Sequence, residues 1–193
     1  MKRAALFLDR DGVINIDHGH VHRIKDFEFI DGATEIVKIA NTIGLFTFIV
    51  TNQGGIAKGL YTERDFEDLS KWMTEQFRIA GATIDGVYHC PHHPEGTVAS
   101  FSISCECRKP KPGMILRAIA DHNLSASQSV MIGNKPSDMW AAENAGLRHL
   151  VLLKTPNNFD QNMDKIPEST LQIESLHDSK LCQIMTTAIT QPR

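Results

Sequence analysis

Short apolar runs alternate with stretches of helical spacing along most of this chain. Ala4 to Leu8 (AALFL) is apolar throughout and stops at Asp9, which predicts a strand buried on both faces. Ile36, Ile39, Ala40 and Ile43 fall on one face of a helix over about 33–43, with Gly44 at the expected stop. Leu45 to Val50 (LFTFIV) reads as a second buried strand running into Thr51 and Asn52. Thr62 is placed to cap a helix whose inner face carries Phe66, Leu69, Met73, Phe77 and Ala80, closed by Gly81. A short strand follows at about 86–89, then a helix from Pro112 to about 123. Ser129 to Ile132 reads as a strand leading into Gly133-Asn134-Lys135. A helix over 137–145 ends at Gly146, and His149 to Leu153 is a further strand.

Strands alternating with helices predict a doubly wound α/β fold with a mainly parallel sheet. The pattern supports one domain over residues 1–155. After Thr155 the sequence turns polar (PNNFDQNMDKIPEST) and then weakly amphipathic. The tail, 156–193, is expected to pack on the same domain outside the sheet, or to trail from it and be partly mobile.

The 193 residues, 41% hydrophobic and 22% charged, are an ordinary globular balance for one domain with its own core. A formal charge of −3 provides no global basic field, so neither a nucleic-acid nor a membrane partner is expected, and phosphate binding must come from a few local cations. The apolar run after Met1-Lys2-Arg3 is too short for a secretory signal, and no stretch approaches a membrane span. A cytoplasmic location is therefore expected, and a monomer, since no apolar interface stripe stands out.

The polar residues that follow the predicted strands carry the chemistry. Asp9, Asp11, Thr51, Asn52 and Asn134 sit just past strand ends, where ligands bind in open α/β sheets. In Asp9-Arg10-Asp11-Gly12 one carboxylate can attack phosphorus, and a second, two residues on, can protonate a leaving alcohol and then activate water. Carboxylates and carbonyls are the hard oxygen ligands Mg²⁺ prefers. Thr51 and Asn52 offer polar groups to a phosphoryl, and Arg108 and Lys109 supply cations. Asn134, Lys135 and Asp138 add oxygen ligands and another lysine.

Three of the four cysteines lie close to His92: Cys90-Pro91-His92 is followed, after twelve intervening residues, by Cys105-Glu106-Cys107. Three sulfurs and one imidazole are a closed set for structural Zn²⁺ in a reducing compartment, within a loop over about 89–108. His93 competes with His92 as the nitrogen ligand. Cys107 directly precedes Arg108 and Lys109, so an ion there would hold both cations in register. Cys182 reads as a packed hydrophobe.

The set FLDRDG, VTNQGG, CRKPKPG and IGNKPSD, in this order, resembles the four signature motifs of the haloacid dehalogenase-like phosphatases, across roughly residues 4–153. That resemblance implies a Rossmann-like, haloacid dehalogenase-type fold. Asp9 would be the nucleophile and Asp11 the general acid/base, with Thr51 and Lys109 stabilising the phosphoryl group. Mg²⁺ would be held by Asp9, the main-chain carbonyl of Asp11 and the residue at 134. This chain has Asn134 where the pattern has aspartate, which implies weaker metal affinity, with Asp138 as a candidate assistant.

Asp17 to His22 (DHGHVH), FEFIDG, TNQGGIAKG and CPHHPEG, together with the zinc loop, are further similar to the D-glycero-D-manno-heptose 1,7-bisphosphate phosphatases within that superfamily. The resemblance implies removal of the C7 phosphate on the route to nucleotide-activated heptose for lipopolysaccharide, without a large cap domain. Asp17, His18, Gly19 and His20, and the loop over 92–105, would enclose the sugar with Arg108 and read its anomeric phosphate. Asn52, Gln53, Gly54 and Lys135 would complete the substrate contacts. The alternatives are a histidinol-phosphate phosphatase, or a sugar-phosphate-binding protein weakened in catalysis by Asn134.

Overall fold

The computed structural model describes residues 2–155 and 166–190. Six parallel strands form one sheet in the order β3-β2-β1-β4-β5-β6. They are β1 (Ala5–Leu8), β2 (Phe46–Asn52), β3 (Gly86–Cys90), β4 (Val130–Gly133), β5 (His149–Leu153) and β6 (Leu171–Ile173). The helices between and after them are α1 (Ala33–Thr42), α2 (Glu63–Ile79), α3 (Gly113–His122), α4 (Pro136–Asn144) and α5 (Ser179–Thr190).

The unbroken apolar runs have a physical reason. Alternate residues of β1 point to opposite faces, and both faces are covered. Leu6 and Leu8 join a cluster with Ile36 and Val37 of α1, Leu69, Met73 and Phe77 of α2, and Leu181 and Met185 of α5. Ala5 and Phe7 join the opposite cluster with Met114 and Ile115 of α3 and Met139 and Ala142 of α4. Phe77 is fully buried, and truncating such a side chain to alanine costs about 3–5 kcal/mol. Thr62 caps α2 in a reciprocal box: its Oγ1 accepts from the Asp65 amide at 3.1 Å, and Asp65 Oδ2 accepts from the Thr62 amide at 2.8 Å.

The chain runs outward from β1 through β2 to β3, then returns to place β4 on the other side of β1. The order reverses between β1 and β4, so a crevice opens at their carboxyl ends. Loops rather than a separate cap domain surround that crevice among the described residues. No helix among them is long and apolar enough to cross a membrane.

The C-terminal segment differs from the sequence expectation. Residues 171–173 do not lie outside the sheet; Leu171 pairs with Val151 and Ile173 with Leu153, adding a sixth strand. A three-residue strand reading Leu-Gln-Ile is too short to declare a period. Residues 156–165 and 191–193 of the expected tail lie outside the described residues.

Candidate active site

Asp9 follows β1 directly and is 4% exposed. Its Oδ1 accepts from the Arg10 amide at 2.8 Å and pairs with Lys109 Nζ at 2.8 Å, while Oδ2 makes no hydrogen bond to a described residue. Lys109 Nζ also pairs with Asp138 Oδ1 at 2.6 Å and donates to the Val50 carbonyl at 2.8 Å. Burial, then repulsion from Asp138, raises the pKa of Asp9 to about 6 against partial relief from Lys109. Burial works against the charge of Lys109, but Asp138 and Asp9 outweigh it and hold its pKa above the ordinary range. Asn52 fixes the Lys109 backbone from both sides: Oδ1 accepts from the Lys109 amide at 3.0 Å and Nδ2 donates to its carbonyl at 3.1 Å. Asp138 Oδ2 accepts from the amides of Asn134 and Lys135, so this carboxylate also caps the start of α4.

Asp11 is reached by donors on both oxygens. Arg10 Nη2 donates to Oδ1 at 3.0 Å and to Oδ2 at 3.1 Å, Asn15 Nδ2 to Oδ1 at 3.1 Å, and Gln53 Nε2 to Oδ2 at 3.0 Å. Gly12 turns the chain at φ 91°, a conformation that favours glycine, and a side chain there would displace the amide of Asn134. A cavity of about 470 Å³ is lined by Asp9, Asp11, Thr51 and Lys109 together with Asp17, Gly19, His20, Lys58, His93, Arg108 and Lys135. Lys135 Nζ meets Asp17 Oδ2 at 3.0 Å across the mouth. Burial, then the nearby Lys58 charge, holds His20 below the usual imidazole range.

Beside this cavity the ligand atoms of Cys90, His92, Cys105 and Cys107 lie within 4.8 Å of one another. His92 Nδ1 is 3.4 Å from Cys107 Sγ. Burial pushes the Cys90 thiol well above its ordinary range, so keeping a thiolate there calls for a cation among the sulfurs. Three sulfurs and a nitrogen suit tetrahedral Zn²⁺.

A family profile described as HAD-hydrolase-like matches residues 106–179. A D-glycero-beta-D-manno-heptose-1,7-bisphosphate 7-phosphatase of Yersinia pestis is 48% identical over 151 residues, 78% of this chain and 80% of that protein. The protein of the same name from Pasteurella multocida is 42% identical over 91% of this chain and 94% of its own length. The crystal structure of D,D-heptose 1,7-bisphosphate phosphatase from B. bronchiseptica, complexed with magnesium and phosphate, superposes with a TM-score of 0.80 at 25% identity, covering 96% of this chain and 99% of that one. This chain belongs to the heptose 1,7-bisphosphate 7-phosphatase family. Its parallel sheet is that of a haloacid dehalogenase-like hydrolase.

Not every residue expected from the sequence faces this family's crevice in the same way. Asp17, Gly19, His20, Asn52, Gln53, Gly54, Arg108 and Lys135 line the cavity, but His18 turns toward Glu28, 3.6 Å away. Asn134 lines an adjoining cavity with Gly12 and Leu153. Asp138, the expected assistant at the metal, has its two oxygens engaged by Lys109 and by two amides. His93 packs against Gly54 in the main cavity, not in the cysteine cluster. Sequence reasoning passed over Lys58, Tyr61 and the side chain of Arg10. Lys58 is the lysine of TNQGGIAKG, but nothing in its spacing sets it apart from solvated surface.

Proposed function

We propose that this chain is a Mg²⁺-dependent phosphoric monoester hydrolase that removes the C7 phosphate of D-glycero-D-manno-heptose 1,7-bisphosphate through a phospho-aspartate formed on Asp9. The observation that carries the proposal is a buried carboxylate with one oxygen held by Lys109 and the Arg10 amide and the other left unbonded, beside a cationic cavity. The names of the relatives support the substrate.

The unbonded Oδ2 of Asp9 attacks phosphorus, and the bond from phosphorus to the C7 oxygen breaks as Asp11 gives that oxygen a proton. Water then attacks the acyl phosphate, passes its proton to Asp11 and releases inorganic phosphate with the Asp9 carboxylate restored. Lys109 and the Thr51 hydroxyl stabilise the transferring group. Thr51 Oγ1 accepts from Gln53 Nε2 at 2.8 Å, which leaves its proton to be donated to a phosphoryl oxygen. Lys58 and Arg108 offer charge for the second phosphate, and Asp17 with Lys135 closes one side of the sugar site.

The donor chemistry fits a hard cation, because Asp9 and Asp138 share one lysine and burial makes the Asp9 charge costly. Asp9, the Asp11 carbonyl and Asn134 would hold Mg²⁺, which neutralises phosphoryl charge when bound. Cys90, His92, Cys105 and Cys107 would hold a structural Zn²⁺. The product, a heptose 1-phosphate, keeps the anomeric phosphate that nucleotide activation builds into the sugar nucleotide on the way to lipopolysaccharide.

The test compares phosphate release from the heptose bisphosphate and from histidinol phosphate with added Mg²⁺, for wild type and Asp9→Asn. Release from the bisphosphate that Asp9→Asn abolishes is the expected result. Preference for histidinol phosphate, or ligand binding without release, overturns the proposal.

A further inference from the structure

Arg10 is 1% exposed and Gln53 2% exposed, an unusual amount of buried polarity for two neighbours. Gln53 Nε2 donates to Asp11 Oδ2 and to Thr51 Oγ1, so one amide nitrogen bridges the two groups assigned to proton transfer and phosphoryl contact. What decides that this end of the amide faces them is the environment of the other end. Gln53 Oε1 accepts from Tyr61 Oη at 2.5 Å and from Arg10 Nη2 at 3.3 Å. The tyrosine bond is much the shorter, and Tyr61 is itself held by a near-parallel stack on His22, centroids 4.9 Å apart. Burial raises the Tyr61 pKa to about 12, so its hydroxyl keeps the proton it donates.

We propose that Tyr61 is a positioning residue for the phosphatase reaction, acting through Gln53 to fix the carboxylate of Asp11. The proposal rests on the role given to Asp11 above. Arg10 has no acceptor to exchange for its donors, and Asn15 Nδ2 is held toward Asp11 by donating also to the Ile16 carbonyl at 2.8 Å. Reversing the Gln53 amide would set its oxygen against the Asp11 oxygen and withdraw the donor from Thr51. Tyr61 prevents that reversal without itself touching either catalytic group. Phenylalanine at 61 would keep the ring against His22 and lose only the hydroxyl.

An acid that must deliver a proton matters most when the leaving group is a poor one. A sugar alkoxide needs the proton, whereas 4-nitrophenolate departs without it. The experiment measures kcat/KM, which reports events through leaving-group departure, for the heptose bisphosphate and for 4-nitrophenyl phosphate. It is run on wild type, Tyr61→Phe, Gln53→Met and Asp11→Asn, with thermal unfolding of each. Tyr61→Phe should lower kcat/KM for the sugar phosphate about fivefold and for the aryl phosphate less than about twofold, a small part of the roughly 10²–10⁴ that general acid–base catalysis supplies. Gln53→Met should show the same split, larger. A split in Asp11→Asn with none in Tyr61→Phe and Gln53→Met overturns the positioning role alone. Equal losses on both substrates overturn it too, as a merely structural effect. No split in Asp11→Asn overturns the acid/base reading and this inference with it.

Discussion

Replacing Asp9 by asparagine removes the proposed nucleophile and, in Mg²⁺-free buffer, should make the fold more stable. Asp9 is buried, and its pKa is raised from 3.8 to about 6, first by burial and then by Asp138. A carboxyl whose pKa is higher folded than unfolded binds its proton more tightly in the native state, so its contribution is present below pH 3.8 and is lost as pH rises through about 6. A rise of that size converts to about 3 kcal/mol of native-state cost at pH 7.5, shrinking to about 0.5 kcal/mol near pH 4. Asparagine is neutral throughout and nearly the same shape. Lys109 would lose one partner but keep Asp138 at 2.6 Å, so the observed gain should fall somewhat short of that figure. For a chain of this length, 1 kcal/mol moves Tm by about 2–4 °C. Thermal unfolding of wild type and Asp9→Asn at pH 7.5 and pH 4.5 reads the effect directly, with phosphate release as the parallel assay. The variant should melt several degrees higher at pH 7.5, with a clearly smaller gain at pH 4.5, and release no phosphate. A variant less stable than wild type by the same amount at both pH values would refute the claim that ionising Asp9 is what costs the fold stability.

Asn134→Asp should raise Mg²⁺ affinity about tenfold or more by titration calorimetry, since a full charge replaces an amide dipole and Asp138 is already engaged. Lys109→Met should abolish phosphate release and cost about 3–5 kcal/mol in urea unfolding, because it leaves two buried carboxylates without their shared cation. Cys107→Ser should reduce zinc from close to one equivalent per chain by metal analysis. It should also lower Tm by about 5–10 °C, with loss of activity as Arg108 and Lys109 lose their anchor.

The large elements were legible because their signals are local. A strand covered on both faces must be apolar at every position, and β1, β2 and β5 are nearly so. A helix half covered must show its period, and α2 does. Strand ends then collected the acidic and basic motifs into one crevice with no need to know the loops. The rest depended on contacts that no local rule contains. Arg10 would ordinarily be assigned to solvent; it is buried because Asp11, the Val21 carbonyl at 2.7 Å and Gln53 together take the donors of its Nε and Nη2, while Nη1 meets no partner among the described residues. Tyr61 lies eight residues from Gln53, and only the turn over 53–60 brings the hydroxyl back to the amide. Spacing could not choose between His92 and His93, whereas the backbone turns one ring to the sulfurs and the other to the cavity. Asn52 and Gln53 look like ligand groups in sequence, yet their amides bind the protein's own backbone and side chains.

The pairing of Leu171–Ile173 with Val151–Leu153 also bears on where the chain can be cut. All five residues of β5 are buried, and without the sixth strand one side of its backbone would offer unpaired amides and carbonyls beside an apolar surface. A shortened protein ending near residue 155 would retain every catalytic motif but present an open template to its own copies. Insolubility of such a fragment would then come from its bare flank, not from damage to the chemistry at the carboxyl ends of the strands.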